Sequence, residues 1–276
     1  MPPRRLRLDQ ELVRRGLARS REHASTLIAQ GRVKVAGTVA TKPATGVTTD
    51  VALVVSQDSD EPDYASRGGH KLAGALDSFG LDVRGKRCLD AGASTGGFTD
   101  VLLRAGAAQV LAVDVGYGQL VWRLRQDERV VVHDRTNIRD LTLDLVGEPV
   151  DLVVGDLSFI SLRLVLDALL AVTAPEGELA LMVKPQFEVG KDLVGKGGVV
   201  RDPGLRADAV RQVAEAAAGR GWGAVAVATS KLPGPSGNVE YFLLLRRGTP
   251  TVTAEEIRAE VDRTASLGVP GERVEP

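Results

Sequence analysis

Arg87-Cys88-Leu89-Asp90-Ala91-Gly92-Ala93-Ser94-Thr95-Gly96-Gly97-Phe98-Thr99 is the stretch that decides the fold. A mostly apolar run ends on a carboxylate, a glycine-rich turn follows, and Thr99 to Arg104 continues with helical spacing. A buried strand that turns tightly into a helix opens an α/β unit, and glycines at the turn let the backbone bend sharply and approach a ligand. The pattern repeats outward. Strands are predicted at 110–114, 130–132, 150–154, 179–183, 224–228 and 240–245, with helices at 162–172 and 204–218. Strands separated by helices imply parallel pairing with right-handed crossovers. No helix separates the last two strands, which predicts an antiparallel edge strand. Residues 249–276 read as one helix, over 254–267, and a Pro/Gly tail.

The chain has 276 residues, 43% hydrophobic and 26% charged, as in an ordinary globular protein with one large domain or two unequal ones. Its one cysteine, Cys88, excludes a disulfide framework and a Cys-rich zinc site and suggests a reducing compartment. There is no run of about 18 apolar residues and no apolar core behind the N-terminal arginines. A cytoplasmic protein without stable membrane association is therefore expected. His23, His70 and His133 are isolated, so no metal-ligand cluster is visible. The net charge of −1 hides an asymmetry: residues 1–50 carry +6 and the remainder −7. A basic head on an acidic body suggests that the head grips a polyanion, although charge alone equally describes a solvated basic face.

Within the head, Asp9 is expected to cap a helix running through Arg15, and Ser20 a second one through Gln30. Val33-Lys34-Val35 alternates, turns at Ala36-Gly37 and resumes at Val39, with a later strand at 52–55. Residues 57–65 are polar, acidic and contain a proline, which marks a linker. The expected division is 1–59, a linker at 60–66, a main domain at 67–248 and a C-terminal helix and tail at 249–276. The motifs Arg-Leu-Asp-x-x-Leu-Val-x-x-Gly, Ser-Arg-x-x-Ala-x-x-Leu-Ile-x-x-Gly and Val-x-Val-x-Gly make the head resemble the S4 RNA-binding domain. That resemblance implies a small α+β fold whose basic residues meet RNA phosphates, with Arg7, Arg21 and Lys42 as the first choices and Arg4 and Arg5 behind them. Such contacts fix orientation and carry little sequence information.

The glycine turn does not have the Gly-x-Gly-x-x-Gly spacing of dinucleotide sites, and no Walker A lysine is present. Asp114 ends the next strand, where a carboxylate can accept both hydroxyls of a ribose. Asp90, Gly92, Ser94, Thr95, Gly96, Gly97, Phe98 and Asp114 together resemble the S-adenosylmethionine site of class I methyltransferases. Asp134, Thr136 and Asn137 follow the third strand, where adenine would sit; Asn137 is kept as the contact. The resemblance implies a Rossmann-like, mostly parallel seven-stranded sheet with helices on both faces.

The acceptor is approached by elimination. Asp156-Leu157-Ser158-Phe159 lacks the proline pair common in enzymes that methylate base amino groups, and Cys88 lies inside a strand rather than at a nucleophile's position. Oxygen remains, and a hydroxyl needs a base to weaken its proton. Lys71, Asp156, Lys184 and Glu240 lie at the ends of separate elements and match the Lys-Asp-Lys-Glu tetrad of FtsJ/RrmJ-like ribose 2′-O-methyltransferases. The match implies Lys184 as base, Asp156 and Glu240 as groups that hold lysines and hydroxyl, and Lys71 as a group that orients ribose or phosphate. The Gly-rich, charged segment from Glu188 to Pro203 is either a flap over the acceptor or a surface loop.

Taken over residues 4–247, the chain resembles the TlyA family, an S4 domain joined to an FtsJ-like methyltransferase. Its strings include Asp-Val-Gly-Tyr-Gly-Gln-Leu, Val-Lys-Pro-Gln-Phe-Glu-Val-Gly-Lys and Pro-Gly-Pro-Ser-Gly-Asn-Val-Glu-Tyr-Phe. The family implies 2′-O-methylation of cytidines in small-subunit, and in some members large-subunit, ribosomal RNA, with ribosomal subunits as partners and a link to capreomycin-type antibiotic sensitivity. Pro62-Asp63-Tyr64-Ala65 departs from the Arg-Ala-Trp-Val of other members. The family's haemolysin label raises a membrane-lytic alternative, for which the sequence offers no insertable segment. An RNA-binding assembly factor with a spent methyltransferase fold is the other alternative.

Overall fold

The computed structural model describes residues 5–56, 62–234 and 236–265. The chain divides into two compact units, Met1–Asp63 and Tyr64–Pro276.

In the first unit, β1 (Leu6–Arg7) leads into α1 (Leu8–Arg14), and α2 (Arg21–Ala29) follows. Then come β2 (Val33–Val35), β3 (Thr38–Val39), β4 (Gly46–Val47) and β5 (Leu53–Val55). β2 pairs antiparallel with both β3 and β5, and β1 pairs with β4. Leu8, Leu12, Ala24, Leu27, Ile28 and Val33 form the core, each at most 3% exposed. Ser20 caps α2, its hydroxyl accepting from the His23 N–H at 3.1 Å. Asp9 does not cap α1. The helix begins one residue earlier, at Leu8, and the Asp9 carboxylate is taken by arginines: Arg7 at 3.0 Å and Arg21 at 3.0 Å. Its Oδ1 also accepts the Gln10 N–H at 2.9 Å, so the carboxylate serves the first turn from inside the helix while charge-assisted bonds hold it to the arginines.

In the second unit α3 (Gly68–Phe79) precedes β6 (Arg87–Ala91), α4 (Gly97–Arg104), β7 (Gln109–Val113), α5 (Trp122–Arg125), β8 (Val130–His133) and α6 (Leu143–Val146). β9 (Val150–Gly155), α7 (Leu166–Ala171), β10 (Thr173–Val183), α8 (Pro185–Glu188), α9 (Pro203–Ala218), β11 (Trp222–Thr229), β12 (Tyr241–Arg247) and α10 (Ala254–Ala265) complete it. The seven strands lie in the order β11-β12-β10-β9-β6-β7-β8. β8, β7, β6, β9 and β10 are parallel, and β12 runs antiparallel between β10 and β11. The odd strand is thus not at the edge, as expected, but inserted one place inside it. The helix predicted over 162–172 also divides, into a 3₁₀ turn at Leu162–Leu164 and α7.

Side-chain alternation explains why both faces are covered. Leu89, Leu111, Val153, Leu181 and Leu243 point to one face, in a core shared with Leu166, Val210 and Val261. Cys88, Val110, Leu152, Ala180 and Phe242 point to the other, in a core shared with Leu72 and Leu102. Burial pushes the Cys88 thiol up to about 12, so it stays protonated. Among the described residues, no helix is long and apolar enough to cross a membrane.

Candidate active site

The carboxyl ends of the parallel strands open on a cleft of about 440 Å³. Gly92 and Ser94 line it from the turn after β6, Asp114 from the end of β7, Asn137 from beyond β8, and Asp156 to Ile160 from the loop after β9. Gly92 has φ +84°, and a Cβ there would stand 3.0 Å from the Asp156 carbonyl oxygen, so only glycine lets these two strand ends close up. Ser94, at φ +47°, donates its N–H to Asp114 Oδ2 at 2.9 Å, while Gly116 N–H donates to Oδ1 at 2.7 Å. The Asp114 carboxylate is thereby held facing the glycine turn, with lone pairs left for a ligand.

The remaining residues of the turn are placed differently. Asp90, Gly97 and Phe98 are buried beneath the cleft, Phe98 stacking on Phe242 with ring centroids 6.1 Å apart. Gly96 is also buried, whereas Thr95 is exposed and accepts the Val121 N–H through its carbonyl. Asp90 Oδ2 accepts the Thr99 N–H at 2.9 Å and hydroxyl at 2.7 Å, which ties strand to helix; Oδ1 is buried without a hydrogen-bond partner. Burial pushes the Asp90 carboxyl up to about 7, against the Thr99 hydrogen bonds and with a further push from the charges of Asp156 and Asp114. Asp134 is engaged by Arg125, and Asn137 caps a 3₁₀ turn by accepting the Arg139 N–H at 3.0 Å.

An apolar wall of Val115, Ile138 and Leu157 with acidic groups at Asp114 and Asp156 suits a nucleoside that carries positive charge. These residues fit S-adenosylmethionine.

The two lysines and two carboxylates meet at the same sheet edge. Asp156 follows β9, Lys184 follows β10, and Glu240 precedes β12, which runs the other way. The register Val183↔Tyr241 sets Lys184 opposite Glu240. Lys71, from α3, lies 2.5 Å from Glu240 Oε2, with the two side chains 9% and 1% exposed. Lys184 Nζ lies 2.5 Å from Asp156 Oδ1 and donates to Ser158 Oγ at 2.8 Å. Two buried lysines, each on its own carboxylate, are costly to desolvate and have no role in packing a sheet. Ser158, two residues after Asp156, thus joins the four residues that the sequence singles out. Gln119 likewise lines the cleft, its Oε1 accepting from Ser94 Oγ at 3.3 Å.

Of the basic residues of the head, Arg5 and Lys42 are exposed, Arg7 and Arg21 are half-exposed on Asp9, and Arg4 lies outside the described residues. The segment after Glu188 is tied down at its far end: Asn238 accepts the Val200 N–H at 3.0 Å and donates to the Gly198 carbonyl at 2.8 Å.

Sheet order, glycine turn and cleft define a methyltransferase fold, and the chain matches the FtsJ-like methyltransferase family over residues 64–247 and the S4 domain over residues 6–51. It is 57% identical over 266 residues to the 16S/23S rRNA (cytidine-2′-O)-methyltransferase TlyA of Mycobacterium tuberculosis, covering 96% of this chain and 99% of that one. Hemolysin A of Brachyspira hyodysenteriae is 36% identical, covering 86% and 98%. A solved structure from Streptococcus thermophilus, also named a hemolysin, superimposes with a TM-score of 0.75 at 34% identity, covering 95% of this chain and 96% of that one. The chain belongs to the TlyA family, and it is a methyltransferase.

Proposed function

We propose that the protein transfers methyl from S-adenosylmethionine to the ribose 2′-hydroxyl of a cytidine in ribosomal RNA, of the small and also the large subunit. The pairing of Lys184 with Asp156 and Ser158 beside the cleft carries this reading. The names of the relatives from Mycobacterium tuberculosis and Campylobacter jejuni, both rRNA (cytidine-2′-O)-methyltransferases, support it.

Bound S-adenosylmethionine supplies an electrophilic methyl group on a sulfonium. Asp114 holds the ribose hydroxyls of that cofactor, Asn137 bounds its adenine, and the Gly92–Ser94 turn lets its tail approach the backbone. In its neutral form Lys184 takes the proton of the RNA hydroxyl as that oxygen accepts the methyl group and the sulfonium departs as a neutral thioether, and Asp156 stabilises the ammonium that results. Ser158 fixes the direction of the amine. Glu240 and Lys71, paired with each other at the sheet edge, orient the ribose or its phosphate. Most of the acceleration is alignment of oxygen and methyl, which such preorganised groups supply. Arg5, Arg7, Arg21 and Lys42, with Arg4, hold the RNA backbone.

Ribosomal subunits incubated with labelled cofactor, followed by mapping of ribose-protected sites, test the reading. Lys184→Ala is expected to abolish transfer while cofactor binding persists. Full turnover by that variant would remove the base, and label on bases rather than ribose would remove the acceptor. A lytic role would show as erythrocyte lysis by purified protein that survives Lys184→Ala.

A further inference from the structure

Glu188 closes α8, one helical turn after Lys184, and its side chain is turned inward, 4% exposed. Its Oε2 accepts the Ser161 hydroxyl at 2.5 Å and its Oε1 accepts the Leu162 N–H at 2.7 Å. Arg163 adds a long contact to the carboxylate at 3.4 Å and a hydrogen bond to the Glu188 carbonyl at 3.1 Å. All these partners belong to the end of the loop that starts at Asp156 and to the 3₁₀ turn that follows it.

We propose that Glu188 is a positioning residue for methyl transfer, bolting the 156–163 loop to the short helix that Lys184 precedes. The inference rests on the functional reading above. Loop and helix are joined at three levels: Lys184 on Asp156 and Ser158, Phe187 on Phe159 with ring centroids 5.3 Å apart, and Glu188 on Ser161 and Leu162. Only the last is made wholly by residues that do not line the cleft. A buried carboxylate is a costly way to secure a loop unless the loop must be held in one place. Burial raises the Glu188 carboxyl above its ordinary value, against the Ser161 and Leu162 hydrogen bonds and the charge of Arg163. What the bolt fixes is the distance between the carboxylate and hydroxyl of the loop and the amine at the head of the helix. A misplacement of about 1 Å in such a constellation costs on the order of 100-fold in rate.

Full-length wild type, Glu188→Ala, Glu188→Gln and Ser161→Ala are compared on one ribosomal RNA substrate. Rates are normalised to folded enzyme, and the cofactor Kd and thermal midpoint are measured alongside. Glu188→Ala is expected to lower kcat by about 100-fold, with KM for RNA essentially unchanged and the cofactor Kd weakened far less than kcat, because Gly92, Ser94 and Asp114 still line the cleft. Glu188→Gln is expected to recover most of kcat, because its amide oxygen still accepts from Leu162 and its NH₂ donates to Ser161. Where Glu188→Ala does not fold, Ser161→Ala carries the test through a lowered kcat at an unchanged midpoint. Wild-type kcat per folded molecule in Glu188→Ala or, failing that, in Ser161→Ala overturns the inference, as does failure of glutamine to rescue. Wild type that methylates no ribose overturns the functional reading and the inference with it; wild type that does, beside an equally active Glu188→Ala, overturns the inference alone.

Discussion

Asp90 and Asp9 show how differently one residue type is used in the two units. Asp9 sits between Arg7 and Arg21, and the hydrogen bond from Arg7 leads the causes that hold its carboxyl at about 2. Asp90 is fully buried, and that burial pushes it up to about 7. A carboxyl raised in the folded chain binds its proton more tightly there than when unfolded. Its contribution to stability is therefore full below the ordinary carboxylate range and is lost as pH rises through about 7. Asp90→Asn keeps an acceptor for Thr99 and removes the charge. The variant is expected to lose less stability than wild type between about pH 5 and about pH 8, as read from urea unfolding at the two values; equal losses would mean that Asp90 does not titrate in this window. The position of Asp90 at a strand end was legible in the sequence, and so were the element ends that carry Lys71, Asp156, Lys184 and Glu240. Which lysine meets which carboxylate was not, because that follows from the register of Val183 on Tyr241 between strands far apart in the chain. Nor was the diversion of Asp9 from cap to ion pair, since Arg21 reaches it only once α1 and α2 have packed.

Among elements, the apolar runs of β6, β7, β9 and β10 declared themselves because strands covered on both faces need uninterrupted aliphatic residues. Their hydrophobicity reports burial and is silent on order, so the insertion of β12 beside β10 could not be read from it. α3 is not legible in the sequence for a local reason: it begins Gly68-Gly69, which lowers helix propensity at its first turn. Gly69 makes room for the Tyr64 side chain, whose Cβ would lie 2.5 Å from an added Cβ, and the close approach of α3 to α4 is made at Gly97. A Cβ on Gly97, the first residue of α4, would lie 2.2 Å from Ser66 Oγ and 2.9 Å from the Gly69 backbone nitrogen. The second of these belongs to α3 and cannot rotate away. Gly97→Ala is therefore expected to lower unfolding free energy by about 1–3 kcal/mol, the usual cost of overpacking, despite alanine's better helix propensity. Chemical denaturation of the two proteins checks it, and a more stable variant would mean that the helices have room to part.

At the scale of the molecule, the net charge near zero is the sum of a head at +6 over residues 1–50 and a remainder at −7. The acidic remainder includes Asp114 and Asp156, which suit a cationic cofactor and repel RNA phosphate. Affinity for RNA must then come disproportionately from the head, where Arg5 and Lys42 are exposed and Arg7 and Arg21 show half their surface to solvent. Phosphate contacts release counterions, so each one lost flattens the dependence of log K on log salt by a little under one unit. Deletion of residues 1–58 is expected to weaken RNA binding and to reduce that slope by about four, the share of five phosphate contacts. The cofactor cleft is lined wholly by residues after 91, so S-adenosylmethionine affinity is expected to stay as it is in the full chain. Titrations across a salt series, paired with calorimetry of cofactor binding, separate the two terms. An unchanged slope would move the RNA contacts onto the methyltransferase unit, against its own charge. A cofactor affinity that fell together with the slope would mean that the two units are energetically coupled.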